Sequence, residues 1–281
     1  MAIRISGTTG LYGIVAHPIK HTISPFMHNC AFEKLGIDDV YMAFDVEEKD
    51  FDIYMKSVRV LPIKGMNVSM PYKQKIIPYL DELSDEAKLC QAVNTVKNVN
   101  GHLIGHITDG EGFYHACLEK DWHIDNQKIV MLGAGGAAKA IIVSLARHGA
   151  KEIVVYNRHS YDYIQELNEH FETSISLKDL SCKDELKKDI KDSYLLIQAT
   201  SVGMVPHEKE CLICEDMFVD GLKVADLIYN PKETILLKKA KSFGLETMNG
   251  EGMLLYQGAL AFEFWTNQKM PINDVKERMR Q

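Results

Sequence analysis

The stretch Lys128-Ile-Val-Met-Leu-Gly-Ala-Gly-Gly-Ala-Ala-Lys139, followed after an apolar helical pattern by Glu152-Ile-Val-Val-Tyr-Asn-Arg158, decides how this chain folds. Residues 129–132 are a short continuous apolar run, as expected of a strand buried on both faces. Gly133, Gly135 and Gly136 follow at once. Ala140, Ile141, Val143, Ser144 and Leu145 then recur at helical spacing, and Gly149 supplies a stop. Residues 153–156 read as a second buried strand. Strand, glycine turn, helix and strand in this order form half of a dinucleotide-binding unit.

The glycine positions have separate physical reasons. A tight turn out of a strand needs a residue without Cβ clashes, and Gly133 meets that need. After Ala134, Gly135 leaves the backbone open to a pyrophosphate, which the free N–H groups and positive dipole end of the following helix would attract. Gly136 and Ala137 keep that helix close to the sheet, and Ala138 falls where a third glycine would stand. Two flanking apolar strands raise this reading above that of a plain glycine-rich turn. At the end of the second strand an acid would bond a ribose 2′-hydroxyl, whereas arginine favours a 2′-phosphate. Here the strand ends Asn157-Arg158-His159, which argues for NADP. Asp162 lies near enough in sequence to offset that charge, so NAD is the alternative.

The chain has 281 residues, enough for one large domain or two medium ones. Its net charge of −7, with no basic patch interleaved with aromatics, argues against nucleic acid as a partner. No apolar run approaches the roughly 18 residues of a membrane span. The start, Met1-Ala-Ile-Arg-Ile-Ser-Gly7, lacks the apolar core of a signal peptide, which points to a cytoplasmic protein. The six cysteines are scattered and read as reduced, small core residues. Cys211-Leu-Ile-Cys214 has neither a second pair nor a histidine partner to make it a zinc or redox site.

Before the nucleotide unit, residues 11–16 read as a strand, Ser24-Pro25 as an N-cap with proline at N1 of a helix to about Leu35, and Gly36 as its stop. Residues 40–46 and 63–68 read as strands, with a helix over 51–60 between them. In Asn67-Val-Ser-Met-Pro-Tyr-Lys73, Pro71 suits the first turn of a helix. Lys73 then lies near the positive end of the dipole, a setting that makes an amine a usable proton donor and acceptor. Residues 83–89 read as a helix, and 93–99 with 102–106 as a hairpin turning at Asn100-Gly101. Thr108 or Asp109 caps a helix through Leu118; a functional Asp109 needs a partner, for which Lys73 is the candidate. Beyond the second nucleotide strand, helices are expected over 161–171 and 180–190, and strands over 194–198 and 224–228. Residues 205–220 are expected to form a loop over the site. A long apolar helix over 253–265 carries Gln257, whose amide needs partners, and a last helix covers 271–279. The alternation before the glycine unit is too long for an ornament, so two domains are expected, joined near residues 107–112.

Six separated stretches together resemble the shikimate dehydrogenase family, with its quinate/shikimate branch. They are His21-Thr-Ile-Ser-Pro25, Asn67-Val-Ser-Met-Pro-Tyr-Lys73, Ala92-Val-Asn-Thr95, Thr108-Asp-Gly110, Gly133-Ala-Gly-Gly-Ala137 and Gly250-Glu-Gly-Met-Leu-Leu-Tyr-Gln257. The resemblance covers essentially the whole chain. It implies an α/β fold: a Rossmann-type NAD(P)-binding domain over 109–250, and a substrate-binding domain over 1–108 completed by 251–281. It further implies a polyol substrate lying between the two domains, held by Thr22, Ser24 and Ser69 at its carboxylate and by Asn94, Asp109, Tyr229 and Gln257. Lys73 and Asp109 match the catalytic pair. Gly133, Ala134, Gly135, Gly136, Ala137, Asn157 and Arg158 match cofactor positions, and Asp85, Leu227 and Gly250 match positions bordering the nicotinamide side. The implied chemistry is reversible reduction of 3-dehydroshikimate to shikimate by NADPH, a step of aromatic amino acid biosynthesis. No metal is required, because hydride transfer is the cofactor's chemistry.

Thr22 stands where relatives usually have serine and Ile107 where many have asparagine. His159 and Asp162 stand where NADP users often have threonine and a second arginine. These departures keep an NAD-linked quinate/shikimate dehydrogenase as the alternative. A nucleotide sensor without catalysis is the alternative of another class, disfavoured by the presence of both Lys73 and Asp109. A monomer and a homodimer are both compatible with the sequence.

Overall fold

The computed structural model describes residues 5–280, so the leader reading made from Met1 lies partly outside the described residues. The chain divides into two compact units: residues 1–108 with 257–281, and residues 109–256. One division falls between Thr108 and Asp109, the other between Tyr256 and Gln257, inside a helix rather than ahead of it. No described helix is long and apolar enough to cross a membrane.

The first unit contains β1 (Gly10–Ala16), α1 (Ser24–Leu35), β2 (Asp39–Asp45), α2 (Phe51–Val58), β3 (Ile63–Val68) and α3 (Tyr72–Lys75). It continues with β4 (Glu82–Leu83), α4 (Asp85–Cys90), β5 (Thr95–Val99) and β6 (His102–His106). The six strands form one mixed sheet in the order β2-β1-β3-β5-β6-β4. β1 runs parallel to β2 and β3, while β5 is antiparallel to both β3 and β6. α1 starts and stops as its sequence requires, with Pro25 in the first turn and Gly36 in the left-handed conformation at φ 65°. Ser24 is not its cap. The cap position is Ile23, and the hydroxyl that meets a free N–H of the first turn is that of Thr22, which accepts from the Ser24 N–H at 3.3 Å.

Tyr12, Phe32, Tyr41, Phe262 and Trp265 form the aromatic heart of this unit, each 5% exposed or less. Phe262 and Trp265 come from the far end of the chain, on α10 (Glu251–Thr266), which precedes α11 (Ile272–Arg280). The Trp265 indole donates to the Val96 carbonyl at 2.9 Å, and Lys97 reaches the Phe264 carbonyl at 2.9 Å. The second half of α10 is thereby fastened to the sheet by both apolar burial and hydrogen bonds. Burying a side chain of this size contributes about 2–3 kcal/mol.

The second unit runs α5 (Asp109–Glu119), β7 (Lys128–Leu132), α6 (Gly136–Arg147), β8 (Glu152–Asn157), α7 (Tyr163–His170), β9 (Ser174–Asp179), α8 (Lys183–Lys191) and β10 (Leu195–Gln198). Then come β11 (Lys223–Asp226), α9 (Ile235–Ser242) and β12 (Glu246–Met248). Its six strands are all parallel, in the order β12-β11-β10-β7-β8-β9. Read from β9, this is three strands wound one way and three the other from β7, the doubly wound Rossmann arrangement. The order reverses between β7 and β10, so the crevice that such folds use for ligands opens beside the glycine turn. A buried charge cluster fastens the strands that lead there. Burial alone would raise the Asp189 carboxyl, but donors from Lys178 (2.7 Å), Tyr156 (2.6 Å) and Lys128 (2.9 Å) bring it down to about 2.

Two expectations for this unit fail for physical reasons. The helix expected from residue 180 begins at Lys183, because residues 180–182 form the turn that leaves β9, an edge strand in which only Ile175 is buried. Residues 205–220 are irregular apart from the single 3-10 turn Glu215–Met217, but they do not simply lie over the site: Ile213, Met217 and Phe218 are buried in the core with Leu222 and Leu236. Apolar residues scattered in a polar segment are drawn into a core that local periodicity does not reveal.

Candidate active site

In the first unit the candidate residues gather at one edge of the sheet. β1 and β3 end there, with Val15 opposite Val68, while β5 starts and β6 ends there, with Thr95 opposite both Asn67 and His106. Backbone bonds tie the segments just beyond. The Ser69 N–H donates to the Val15 carbonyl (3.0 Å), His17 to Met70 (3.2 Å), Val68 to Asn94 (2.8 Å), and Val93 to Lys73 (2.8 Å). Thr22 and Ser24 follow β1, Ser69 and Lys73 follow β3, and Asn94 precedes β5. The topology thus brings residues far apart in sequence to one rim.

Asn94 is 3% exposed and fixed by its surroundings. Its Oδ1 accepts from the Thr108 N–H (2.9 Å), the Thr108 hydroxyl (3.2 Å) and the Thr95 hydroxyl (3.0 Å). Its Nδ2 donates to the Gln257 Oε1 at 3.4 Å, so the amide that required a partner has one from the other end of the chain. Behind it, Asn67 donates to the Asn94 carbonyl and the Thr95 hydroxyl, both at 3.1 Å, and accepts from the Tyr41 hydroxyl at 2.6 Å. A buried polar group satisfied this fully is rigid, so the Asn94 amide is held in a set orientation, with the half-buried Gln257 amide against it.

Lys73 is half-buried on α3, whose cap position is Pro71. That helix is only four residues long, so the dipole invoked for it is the field of a single turn, weaker than expected of a longer helix. Lys75, two residues on, is exposed and pairs with Glu48 at 3.3 Å. Asp85 lies in the first turn of α4, exposed and paired with Lys88 at 3.1 Å.

In the second unit, Gly133 leaves β7 with φ 100°, and its N–H donates to the Tyr156 carbonyl of β8 at 2.8 Å. A Cβ at Gly133 would also come within 3.0 Å of the Ala199 backbone, so no other residue fits there. Gly135 is the cap of α6 and makes no side-chain cap bond; at Gly135 and Gly136 a Cβ would meet nothing within 4 Å. The first turn of a twelve-residue helix therefore faces open space with its N–H groups uncovered, a setting that fits a pyrophosphate. Ala134, between the glycines, has its carbonyl held by the Tyr163 hydroxyl at 3.0 Å. At the end of β8 the Asn157 side chain donates to the His159 carbonyl at 2.9 Å. Arg158 is exposed and forms no ion pair among the described residues, so Asp162 does not neutralise it.

Asp109 is the first residue of α5 and 5% exposed. Leu227, just past β11, donates its N–H to the Gln198 carbonyl at 2.9 Å, and Gly250 donates to the Ile228 carbonyl at 3.0 Å. A Cβ at Gly250 would lie 2.0 Å from the Leu227 oxygen, so the two segments touch backbone to backbone. Tyr229, two residues on, is 40% exposed.

Sequence reasoning missed Asp226 and Thr234. Asp226 ends β11 at 1% exposure, accepting from the Ile228 N–H (3.0 Å) and the Thr234 hydroxyl (2.7 Å). Burial pushes its carboxyl up to about 6 against those two donors. The available signal was an acid inside the apolar run 224–228.

A doubly wound nucleotide unit joined to a second α/β unit that presents hydroxyls, amides and a lysine on one rim defines a nicotinamide-dependent dehydrogenase class. The chain belongs to the shikimate dehydrogenase family. Family models match residues 14–96 (Shikimate dehydrogenase substrate binding domain), 117–218 (Shikimate / quinate 5-dehydrogenase) and 250–280 (Shikimate 5'-dehydrogenase C-terminal domain). The chain is 44% identical to shikimate dehydrogenase (NADP(+)) of Listeria monocytogenes, over 98% of this chain and 97% of that one. To the enzyme of the same name from Streptococcus uberis it is 45% identical, over 99% and 97% of the respective chains. Among solved structures, shikimate 5-dehydrogenase from Listeria monocytogenes in complex with shikimate and NAD is similar at a TM-score of 0.94, with 43% identity over 99% of both chains.

Proposed function

We propose that this chain is a shikimate dehydrogenase that reversibly reduces 3-dehydroshikimate to shikimate with NADPH. The observation that carries the reading is the rim of the first unit, where Thr22, Ser24, Ser69, Lys73, Asn94 and Gln257 are assembled from four separate segments by backbone bonds and an amide network. The bound cofactor supplies a hydride to the substrate's C3 carbonyl. The oxygen of that carbonyl gains negative charge, and Lys73 meets it with a proton from its ammonium. Asp109 serves as the acid of the pair by sharing the substrate hydroxyl.

Thr22, Ser24 and Ser69 bind the substrate carboxylate through neutral hydroxyls, which attract it without locking it in place. Asn94 reads a ring hydroxyl with an amide that has little freedom to turn away, Gln257 adds a second amide, and Tyr229 adds a phenol. Gly133 shapes the turn, the N–H groups at Ala134, Gly135, Gly136 and Ala137 would take the pyrophosphate, and Asn157 and Arg158 the adenosine end with its 2′-phosphate. Asp85, Leu227 and Gly250 border the nicotinamide. Residues 109–256 thus mainly serve the cofactor and residues 1–108 with 257–281 mainly the substrate, with Asp109 and Tyr229 of the former also meeting substrate and Asp85 of the latter bordering the nicotinamide.

Nicotinamide absorbance at a fixed enzyme concentration tests this, with shikimate and then quinate, each with NADP and NAD. The expected result is the largest kcat/KM for shikimate with NADP. A larger value for quinate or NAD would replace the substrate or cofactor assignment, and no turnover with any pair would favour a nucleotide sensor.

A further inference from the structure

The turn that follows β11 is held by a group with no part in the chemistry described above. Asp226 is a carboxyl in an apolar strand end, where an aliphatic residue would pack at lower desolvation cost. Its two oxygens serve two different segments. Oδ1 accepts from the Ile228 N–H at 3.0 Å, and Oδ2 from the Thr234 hydroxyl at 2.7 Å. Thr234, itself 2% exposed, uses the same oxygen to accept from the Leu237 N–H at 3.4 Å, capping α9. The bond between Asp226 and Thr234 therefore closes the excursion 227–233 at its base. Other bonds hold the turn from outside: Leu227 donates to Gln198, Gly250 donates to the Ile228 carbonyl, and Asn249 donates to the Lys232 carbonyl at 3.0 Å. Once these are made, the Leu227 carbonyl is left without a backbone hydrogen bond among the described residues, and Tyr229 projects with 40% exposure.

We propose that Asp226, acting through the Ile228 N–H and the Thr234 hydroxyl, is a positioning residue that fixes the 227–233 loop so that the Leu227 carbonyl and the Tyr229 hydroxyl meet nicotinamide and substrate in register. The proposal rests on the shikimate dehydrogenase reading. It makes a distinctive kinetic demand, because this loop is separate from the phosphate-binding turn at Gly133–Gly136 and from Arg158. Loosening it disturbs the reacting end and leaves the phosphate end intact.

Asp226→Asn, Thr234→Val and Thr234→Ser are assayed for shikimate oxidation, for NADP dissociation constant by calorimetry, and for amide hydrogen exchange over 227–233. Asp226→Asn and Thr234→Val should lower kcat roughly tenfold or more, raise the shikimate KM, leave NADP binding within about twofold, and speed exchange in the loop. Thr234→Ser keeps the hydroxyl and should restore near wild-type values. A merely structural role gives a different result: a smaller active fraction, with kcat lowered, both KM values unchanged, and serine no better than valine. That result, or kinetics and exchange like wild type in both variants, overturns the proposal. If Asp226→Asn does not fold, Thr234→Val carries the same predictions. If the wild-type chain turns over no shikimate, the functional reading fails instead, and unchanged loop exchange in the variants would still refute the positioning role.

Discussion

Replacing His28 with phenylalanine should flatten the acid limb of this protein's stability. His28 is 0% exposed, and neither ring nitrogen has a hydrogen-bond partner. Its ring stacks on Tyr41 at 4.3 Å and lies 5.3 Å from Trp265. Burial pushes the imidazole down to about 3 from its ordinary 6.5, so the ring is neutral in the native state between pH 7 and pH 5. The unfolded chain takes up a proton below 6.5 and the native chain does not until about 3. The stability this histidine allows is therefore complete above pH 6.5 and is lost as pH falls toward 3. The slope approaches about 1.4 kcal/mol per pH unit, which amounts to about 2 kcal/mol between pH 7 and pH 5. Phenylalanine keeps the stacking, removes two unsatisfied nitrogens and cannot titrate, so His28→Phe should match or exceed wild type at pH 7. Urea unfolding followed by tryptophan fluorescence at pH 7, 6 and 5 measures the difference, with carboxylate titrations common to both proteins. The reasoning is refuted if the two lose equal stability from pH 7 to pH 5.

Further outcomes follow from the site. Lys73→Ala should cut kcat far more than it raises the shikimate KM, since the ammonium acts on the developing alkoxide; a change confined to KM, in steady-state kinetics, would make it a binding residue only. Arg158→Ala should weaken NADP binding by about tenfold and leave NAD nearly unchanged, as measured by calorimetry, because an exposed charge-assisted contact is worth about 1–2 kcal/mol; equal losses for both would remove the 2′-phosphate role. Gly250→Ala places a methyl 2.0 Å from the Leu227 oxygen, so the backbone must shift. The expected cost is about 1–3 kcal/mol, read as a lower unfolding midpoint.

Much of the fold was legible because its central strands are apolar on both faces. The runs in β7 and β8 announce themselves, and the glycines between them state what must approach the turn. The edge strands were not legible: β9 buries only Ile175, and β12 has three residues. Such strands exist because a neighbour offers hydrogen bonds, and a local pattern does not record the neighbour. The same distinction runs through the site. Gln257 was readable as an amide in want of a partner, but its partner Asn94 is 163 residues away. Asp226 looked like one acid in a strand, and its meaning depends on Thr234, whose hydroxyl also serves as a helix cap. The Ser24-Pro25 pair signals a cap at Ser24, yet Thr22 supplies the hydroxyl, because the turn before α1 folds back on itself.

The central claim is that this chain moves a hydride from the nicotinamide ring to the substrate's ring carbon while its own residues handle only the proton. NADPH carrying deuterium at the transferable C4 position, incubated with 3-dehydroshikimate and the wild-type protein, tests it in one mass spectrum. The account predicts shikimate with one deuterium, bonded at C3. Shikimate formed without the label, or no shikimate at all, would contradict it.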